Sequence, residues 1–163
     1  MKKENKKIVI GGTFEMLHNG HKTLLRKAFS LGKVFIGLTS DRMAGKMKGR
    51  EFKNFKCRKR NLGNFIKKEF KVAPEIKKIE DKFGFTLKKD FDYIVVSPET
   101  YKTALLINKE RRKIKKEPIK IIKIKFVLAK DKKPISNTRI LSGEIDKEGR
   151  VLYKVGNKKL IKI

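Results

Sequence analysis

Between Ile8 and Leu38 the hydrophobic pattern changes period twice, and this leaves few folds open. Ile8-Val9-Ile10 is a short apolar run that stops at Gly11-Gly12, as a buried parallel strand does on entering a turn. From Gly20 onward Leu24, Leu25, Ala28, Phe29 and Leu31 recur at helical spacing, and Gly32 closes the pattern. "KVFIGL", Lys33 to Leu38, is a second strand. A strand, a helix and a strand within about 30 residues form a right-handed βαβ unit. The theme returns later. "YIVVS" (Tyr93–Ser97) is a clean strand, and after Pro98 a helical pattern runs through Leu105, Leu106 and Ile107 to Lys116. "IKIIKIKFVLA" (Ile119–Ala129) follows as a strand whose partial alternation suits a less buried place in the sheet. Strands alternating with helices predict an α/β fold of three layers.

Other segments are less decisive. Leu62, Phe65, Ile66 and Phe70 share one helical face. "FKVAPEIKKIEDKFG" reads as a strand starting at Phe70 and a short helix after Pro74, ended by Gly84. "ISNTRILSGEI" is a loop entering a short helix, closed by Gly143. Strand-like runs flank Gly156-Asn157 and suit a hairpin or an addition to the sheet edge. One domain over 1–163 is expected, with a core at about 8–148 and a C-terminal extension at 149–163.

Composition narrows the classes of function. No run approaches the roughly 18 apolar residues of a membrane span. The lysine-rich start lacks the long apolar stretch of a signal peptide, so a cytoplasmic location without a membrane partner is expected. Cys57 is the single cysteine, which rules out an internal disulfide and a thiolate zinc cluster. The formal net charge of +28 suits either a polyanion partner or a surface whose default polar residue is lysine. From Arg42 to Arg60 nine lysines and arginines face one acid, Glu51. This stretch reads as a solvated loop or a basic cover hinged at Gly45 and Gly49. Phe52 and Phe55 alone interleave it, short of an RNA-binding pattern. A nucleic-acid-binding module is therefore the rival class, and no nucleic-acid partner is expected.

Both histidines of the chain, His18 and His21, stand between the glycine pair and the first helix. In a parallel α/β sheet that is the ligand crevice at the strand ends. Free N–H groups and the dipole at the helix start favour an anion there. The segment is neither the G-x-G-x-x-G fingerprint nor the G-x-x-x-x-G-K-[ST] loop. Three readings stand: imidazoles satisfied by local contacts, a metal held by both imidazoles with Glu15, or imidazoles that hold phosphate oxygens. Cys57, among Lys56, Arg58, Lys59 and Arg60, lacks the neighbouring histidine of a nucleophile. Asn108 and Arg111, three apart on one helical face, suit either anchoring of the Ser97–Thr100 loop or phosphate contact, and Thr100 suits a helix cap.

"GGTFEMLHNGHKTLL" resembles the H-x-G-H signature of the nucleotidyltransferase superfamily. "GLTSD" (Gly37–Asp41), "VVSPET" (Val95–Thr100), Ile107-Asn108 with Arg111, and "ISNTRI" (Ile135–Ile140) follow in the order seen in archaeal-type phosphopantetheine adenylyltransferases. The resemblance covers about residues 8 to 148. It implies a Rossmann-like doubly wound parallel sheet flanked by helices. It also implies transfer of AMP from ATP to 4'-phosphopantetheine with Mg2+, which is held mainly by the ATP phosphates. By the same resemblance His18 and His21 contact the triphosphate, and Gly12, Thr13 and Phe14 line the substrates. Ser97 and Thr100 form a wall near adenine or ribose. Ser136, Thr138 and Arg139 hold the β and γ phosphates. Lys46 reaches the acceptor phosphate and the reacting phosphorus. Charge and sequence order, apart from the resemblance, place Arg58 or Arg60 at the start of the next helix to hold acceptor or nucleotide phosphate. Glu15 stands where aspartate is commoner, and Asn137 where a second serine is frequent. FMN, nicotinamide mononucleotide or glycerol 3-phosphate are alternative acceptors, and CTP an alternative donor, because the first motif is shared across the superfamily. A slender acceptor suits a chain without tryptophan, with Phe14, Met16 and Leu17 as its dry lining.

Overall fold

The structure is a computed structural model that describes residues 5–48, 52–155 and 158–162. Five strands, β1 (Lys7–Gly12), β2 (Lys33–Thr39), β3 (Glu75–Ile79), β4 (Tyr93–Val96) and β5 (Lys120–Lys123), make one sheet in the order β3-β2-β1-β4-β5. Every neighbouring pair is parallel. The chain winds outward from β1 to β3 on one side, then returns to β1's other edge with β4 and β5. This is the doubly wound arrangement, and the direction of winding switches between β1 and β4. A crevice therefore opens where the carboxyl ends of those two strands diverge.

Alternate residues of β1 explain why both faces are covered. Ile8 and Ile10 enter a core with Leu24, Leu25 and Ala28 of α1 (Asn19–Leu31), and with Leu62 and Ile66 of α3 (Phe55–Phe70). Val9 enters the opposite core, with Ile94, Val96 and Ala104 and Ile107 of α4 (Tyr101–Lys113). Each crossover places its helix on the face that its own strand leaves apolar. The expected three-layer α/β fold is what the chain adopts.

Several local expectations change. The helix α3 continues through Phe70 and closes at Lys71 in the left-handed region (φ 56°), so no strand starts at Phe70. The segment after Pro74 is β3, not a helix. Its Ile76 and Ile79 have helix-like spacing, but Ile76 pairs with Ile36 on the open edge of β2 while Lys77 and Lys78 face solvent. Tertiary pairing outweighs local spacing there. The basic stretch is helical over α2 (Asp41–Lys48), with Gly45 inside the helix and not at a hinge, and Gly49 lies outside the described residues. β5 is four residues long, and the chain then leaves the sheet towards an isolated bridge between Leu128 and Pro134.

Beyond that bridge Ala129, Ile135 and Ile145 form a small core of their own. It carries α5 (Asn137–Leu141) and is fastened to the start of α1, where Asn19 N–H donates to the Lys147 carbonyl at 3.1 Å. β6 (Leu152–Val155) and β7 (Lys158–Lys162) pair antiparallel with each other, and not with the main sheet. The intervening Gly156-Asn157 lies outside the described residues. Among the described residues no helix is long and apolar enough to cross a membrane.

Candidate active site

The two histidines are held by different backbone groups, and this fixes which nitrogen of each carries a proton. His18 is the N-cap of α1, with extended backbone, and its Nδ1 accepts from the Gly20 N–H at 3.1 Å. That nitrogen is thus unprotonated, and the ring's hydrogen sits on Nε2. His21 Nδ1 lies 2.9 Å from the Met16 carbonyl oxygen. A carbonyl only accepts, so this Nδ1 is the protonated one. The rings stack with centroids 3.9 Å apart and planes 26° from parallel. Histidine pair and helix start thus form one unit, with opposite tautomers facing each other.

Phe14 supports the pair from behind. It is buried, its ring centroid lies 5.2 Å from that of His21, and its backbone is left-handed at φ 46°. A bulky residue in that region is strained, and such strain persists only where the surroundings over-determine it. Gly12 belongs to those surroundings, since a Cβ there would sit 3.0 Å from the Phe14 ring.

These groups line a cleft of about 370 Å³ at the switch between β1 and β4. Of the predicted residues the cleft brings together Gly12, Thr13, Phe14, His18 and His21 from the first loop and α1. Ser97 and Thr100 come from the β4–α4 turn, and Ser136 and Thr138 from the C-terminal core. Ser136 is the N-cap of α5, accepting from Arg139 N–H at 3.3 Å. Asn137 also lines the cleft, and its Oδ1 is buried without a hydrogen-bond partner. Thr100 occupies the N-cap position of α4, but its hydroxyl turns back to Ser97 and does not cap the helix.

The cationic residues lie elsewhere. Arg58 is fully buried, and protein oxygens take up its N–H donors, so it has none left for a phosphate. This corrects its expected contact with substrate. Arg60 stands on the outer side of α3, by a shallow basic hollow it shares with Lys56, Lys59 and Lys67, away from the cleft. Lys46 is exposed on α2, from which Met43 and not Lys46 reaches the cleft. Arg139 is bound to two acids: its Nε donates to Glu144 at 2.9 Å and its Nη2 to Asp131. Glu144 and then Asp131 raise the Arg139 pKa, and its guanidinium holds both carboxyls below their usual range. Reaching a ligand would require Arg139 to leave both acids.

Asn108 and Arg111 brace the frame and do not line the cleft. Asn108 makes two 2.8 Å bonds with the backbone of Ile119, fixing the entry to β5. Buried Arg111 donates to the Thr86, Lys89 and Glu117 carbonyls and to Asp90. It thereby fastens the segment whose Phe83, Gly84 and Phe85 form one wall of the cleft. That wall escapes a reading of the sequence, and Thr39 at the end of β2 is read there only as part of "GLTSD", with no role of its own. Phenylalanines and a threonine carry no charge pattern, and only the left-handed Gly84 (φ 52°) hints at a turn. Cys57 Sγ has the Asn61 amide at 3.7 Å and no imidazole among its described partners. Among the described residues no three His, Cys, Asp or Glu side chains converge as metal ligands, so the zinc reading of the histidines gains no third ligand from Glu15.

A doubly wound sheet with an H-x-G-H helix start at its switch point defines a class, and the chain belongs to the cytidylyltransferase-like family of nucleotidyltransferases, whose model matches residues 9–143. Within it, the phosphopantetheine adenylyltransferases of Archaeoglobus fulgidus and Methanosarcina mazei are each 46% identical to this chain, over 148 and 152 residues. These alignments cover 90% and 89% of this chain and 99% and 96% of the relatives. A solved structure of a protein with unknown function from Archaeoglobus fulgidus superposes with a TM-score of 0.70 at 44% identity, covering 72% of this chain and 88% of that one. Pantoate-beta-alanine ligase from Francisella tularensis, at 17% identity and a TM-score of 0.52 over 85% of this chain and 67% of its own, shares the fold alone.

Proposed function

We propose that this protein transfers the adenylyl group of ATP to 4'-phosphopantetheine, giving dephospho-coenzyme A and pyrophosphate. The observation that carries the reading is the stacked His18–His21 pair at the start of α1, inside the cleft at the strand switch. High identity to phosphopantetheine adenylyltransferases along nearly their whole length supports the choice of acceptor.

In this reaction an oxygen of the acceptor phosphate attacks the α-phosphorus of ATP. The bond from that phosphorus to the bridging α–β oxygen breaks, and pyrophosphate leaves with the electron pair. The attacking phosphate is already ionised near neutral pH, so no general base is needed. Catalysis is then positioning and stabilisation of charge. His18 would donate through Nε2–H to an α-phosphate oxygen, because its other nitrogen is spent on the helix cap. His21, protonated at Nδ1 by its bond to Met16, donates from Nε2 as well when it takes up a second proton, and would hold a β or γ oxygen. The hydroxyls of Thr13, Ser136 and Thr138 complete the set of donors. This donor set suits phosphate oxygens and offers little to a bare cation, so Mg2+ would arrive with ATP, held by phosphates and water, and would neutralise the remaining charge.

Pyrophosphate release tests the reading. Protein, magnesium and ATP are incubated separately with 4'-phosphopantetheine, FMN, nicotinamide mononucleotide and glycerol 3-phosphate, and the series is repeated with CTP. Release with ATP and 4'-phosphopantetheine is expected. Release confined to another pair would replace the acceptor or the base while leaving the nucleotidyl transfer intact.

A further inference from the structure

Arg58 is 0 % exposed and permanently charged, so each of its five N–H groups needs an acceptor. Nε donates to the Lys53 carbonyl at 2.8 Å. Nη2 donates to the Thr39 carbonyl and to Asp41 Oδ1, both at 2.9 Å. Nη1 divides its two hydrogens between the Thr13 carbonyl at 3.0 Å and the Thr39 hydroxyl at 3.2 Å. The rings of Phe52 and Phe55 flank the guanidinium, with centroids 5.7 and 5.9 Å away. One side chain thus joins the ends of β1 and β2 to the start of α3.

The bond to the Thr39 hydroxyl has a direction with consequences. A cation turns the oxygen's lone pairs towards itself and its hydrogen away. Thr39 Oγ1 donates that hydrogen to Thr13 Oγ1 at 3.2 Å. A hydroxyl has one hydrogen, so Thr13, having accepted from Thr39, has its own left to give. Thr13 lines the cleft. Hydrogen bonds in such a chain polarise one another in the same sense.

We propose that Arg58 is a positioning residue that acts through Thr39 to make the Thr13 hydroxyl a fixed donor to a phosphate oxygen of the bound substrates. The inference rests on the adenylyl-transfer reading, which supplies two sources of that oxygen, the nucleotide and the acceptor. The bond from Arg58 to the Thr13 carbonyl serves the same end by holding the strained turn into Phe14.

The test uses Thr39→Val, which keeps the shape and removes the relay, beside Thr39→Ser, Thr13→Val and the Thr13→Val/Thr39→Val pair. Arg58→Lys is made as well, but a buried arginine's replacement is prone to unfold, so the threonine variants decide. Each is assayed for kcat/KM with both substrates and for Kd of ATP and of 4'-phosphopantetheine, with thermal unfolding as the check on folding. Thr39→Val is expected to lower kcat/KM about tenfold, as loss of one oriented hydrogen bond does. Thr39→Ser should restore most of it, and Thr39→Val should add less than about twofold in the Thr13→Val background. The Kd that weakens identifies whose phosphate the hydroxyl meets. Wild-type kcat/KM and both Kd values in Thr39→Val would overturn the proposal, as would losses that simply multiply in the double variant. If the wild type binds ATP yet transfers nothing to 4'-phosphopantetheine, the functional reading falls, and the same pattern in the ATP Kd values still judges the relay.

Discussion

The imidazole of His18 lies where a side chain on Gly20 would have to begin: a Cβ at position 20 would meet His18 Cε1 at 2.8 Å and Nδ1 at 3.0 Å. The glycine between the histidines is therefore a steric condition for the cap. The ring can fold back onto the Gly20 N–H only because nothing projects from that residue.

Gly20→Ala is expected to displace the His18 ring while leaving the sheet and the cores intact. Loss of the cap costs about 1 kcal/mol of stability. The rate should fall by more than about tenfold, because a transition-state donor is moved. Thermal unfolding beside kcat separates the two effects, and a near-normal rate would show that the ring's position is not what matters.

His18 has two jobs that substitution can separate. His18→Ala should lower kcat by roughly 100- to 1,000-fold and stability by about 1 kcal/mol. His18→Asn keeps an acceptor for the Gly20 N–H, so its unfolding temperature should return most of the way to wild type while its rate stays low. Equal recovery of both would mean the histidine serves only the helix.

Arg111→Met removes donors from three carbonyls, of Thr86, Lys89 and Glu117. A loss of about 2–4 kcal/mol is expected, from several hydrogen bonds to a charged group with the exposed Asp90 contributing little. Urea unfolding gives the magnitude. Limited proteolysis should report earlier cutting between residues 81 and 91, because that wall loses its fastening.

Acid should loosen the small C-terminal core first. Arg139 holds Asp131 and Glu144 below the usual carboxylate range. A carboxylate whose folded pKa is depressed stabilises the fold above its unfolded pKa, and that contribution disappears as pH falls through the folded value. The urea midpoint of wild type should therefore exceed that of Asp131→Asn at neutral pH. The gap should begin to close below about pH 4, where the unfolded carboxylate takes up its proton, and vanish once pH has fallen past the lower folded value. A gap that persists under acid would assign the difference to packing instead of charge.

Much of the frame was legible from local pattern. The apolar run before Gly11-Gly12, the helical spacing from Leu24 and the buried run at Tyr93 each lead to the element found, since a few neighbouring residues set each period. The segment after Pro74 was misread because Ile76 and Ile79 suit a helix until β2 offers an edge to pair with. Gly12, Thr13, Phe14, His18 and His21 were legible as lining one cleft because they are close in the chain and follow a strand end. The Phe83–Phe85 wall and the role of Thr39 were not, for their place in the cleft depends on contacts with residues far along the sequence.

The fates of the arginines mark the boundary. In the sequence Arg58, Arg60, Arg111 and Arg139 are alike, cations that suit a phosphate. Folding buries Arg58 and Arg111 among carbonyls, leaves Arg60 outside and gives Arg139 to two acids. Periodicity and the H-x-G-H spacing sufficed for β1, β2 and β4, the first helix and the histidine pair, because those patterns are set within a turn or two of chain. What a guanidinium does depends on which oxygens surround it. Arg58 meets Thr13 across 45 positions and Arg111 meets Thr86 across 25, so tertiary packing alone could decide between substrate contact and structural brace.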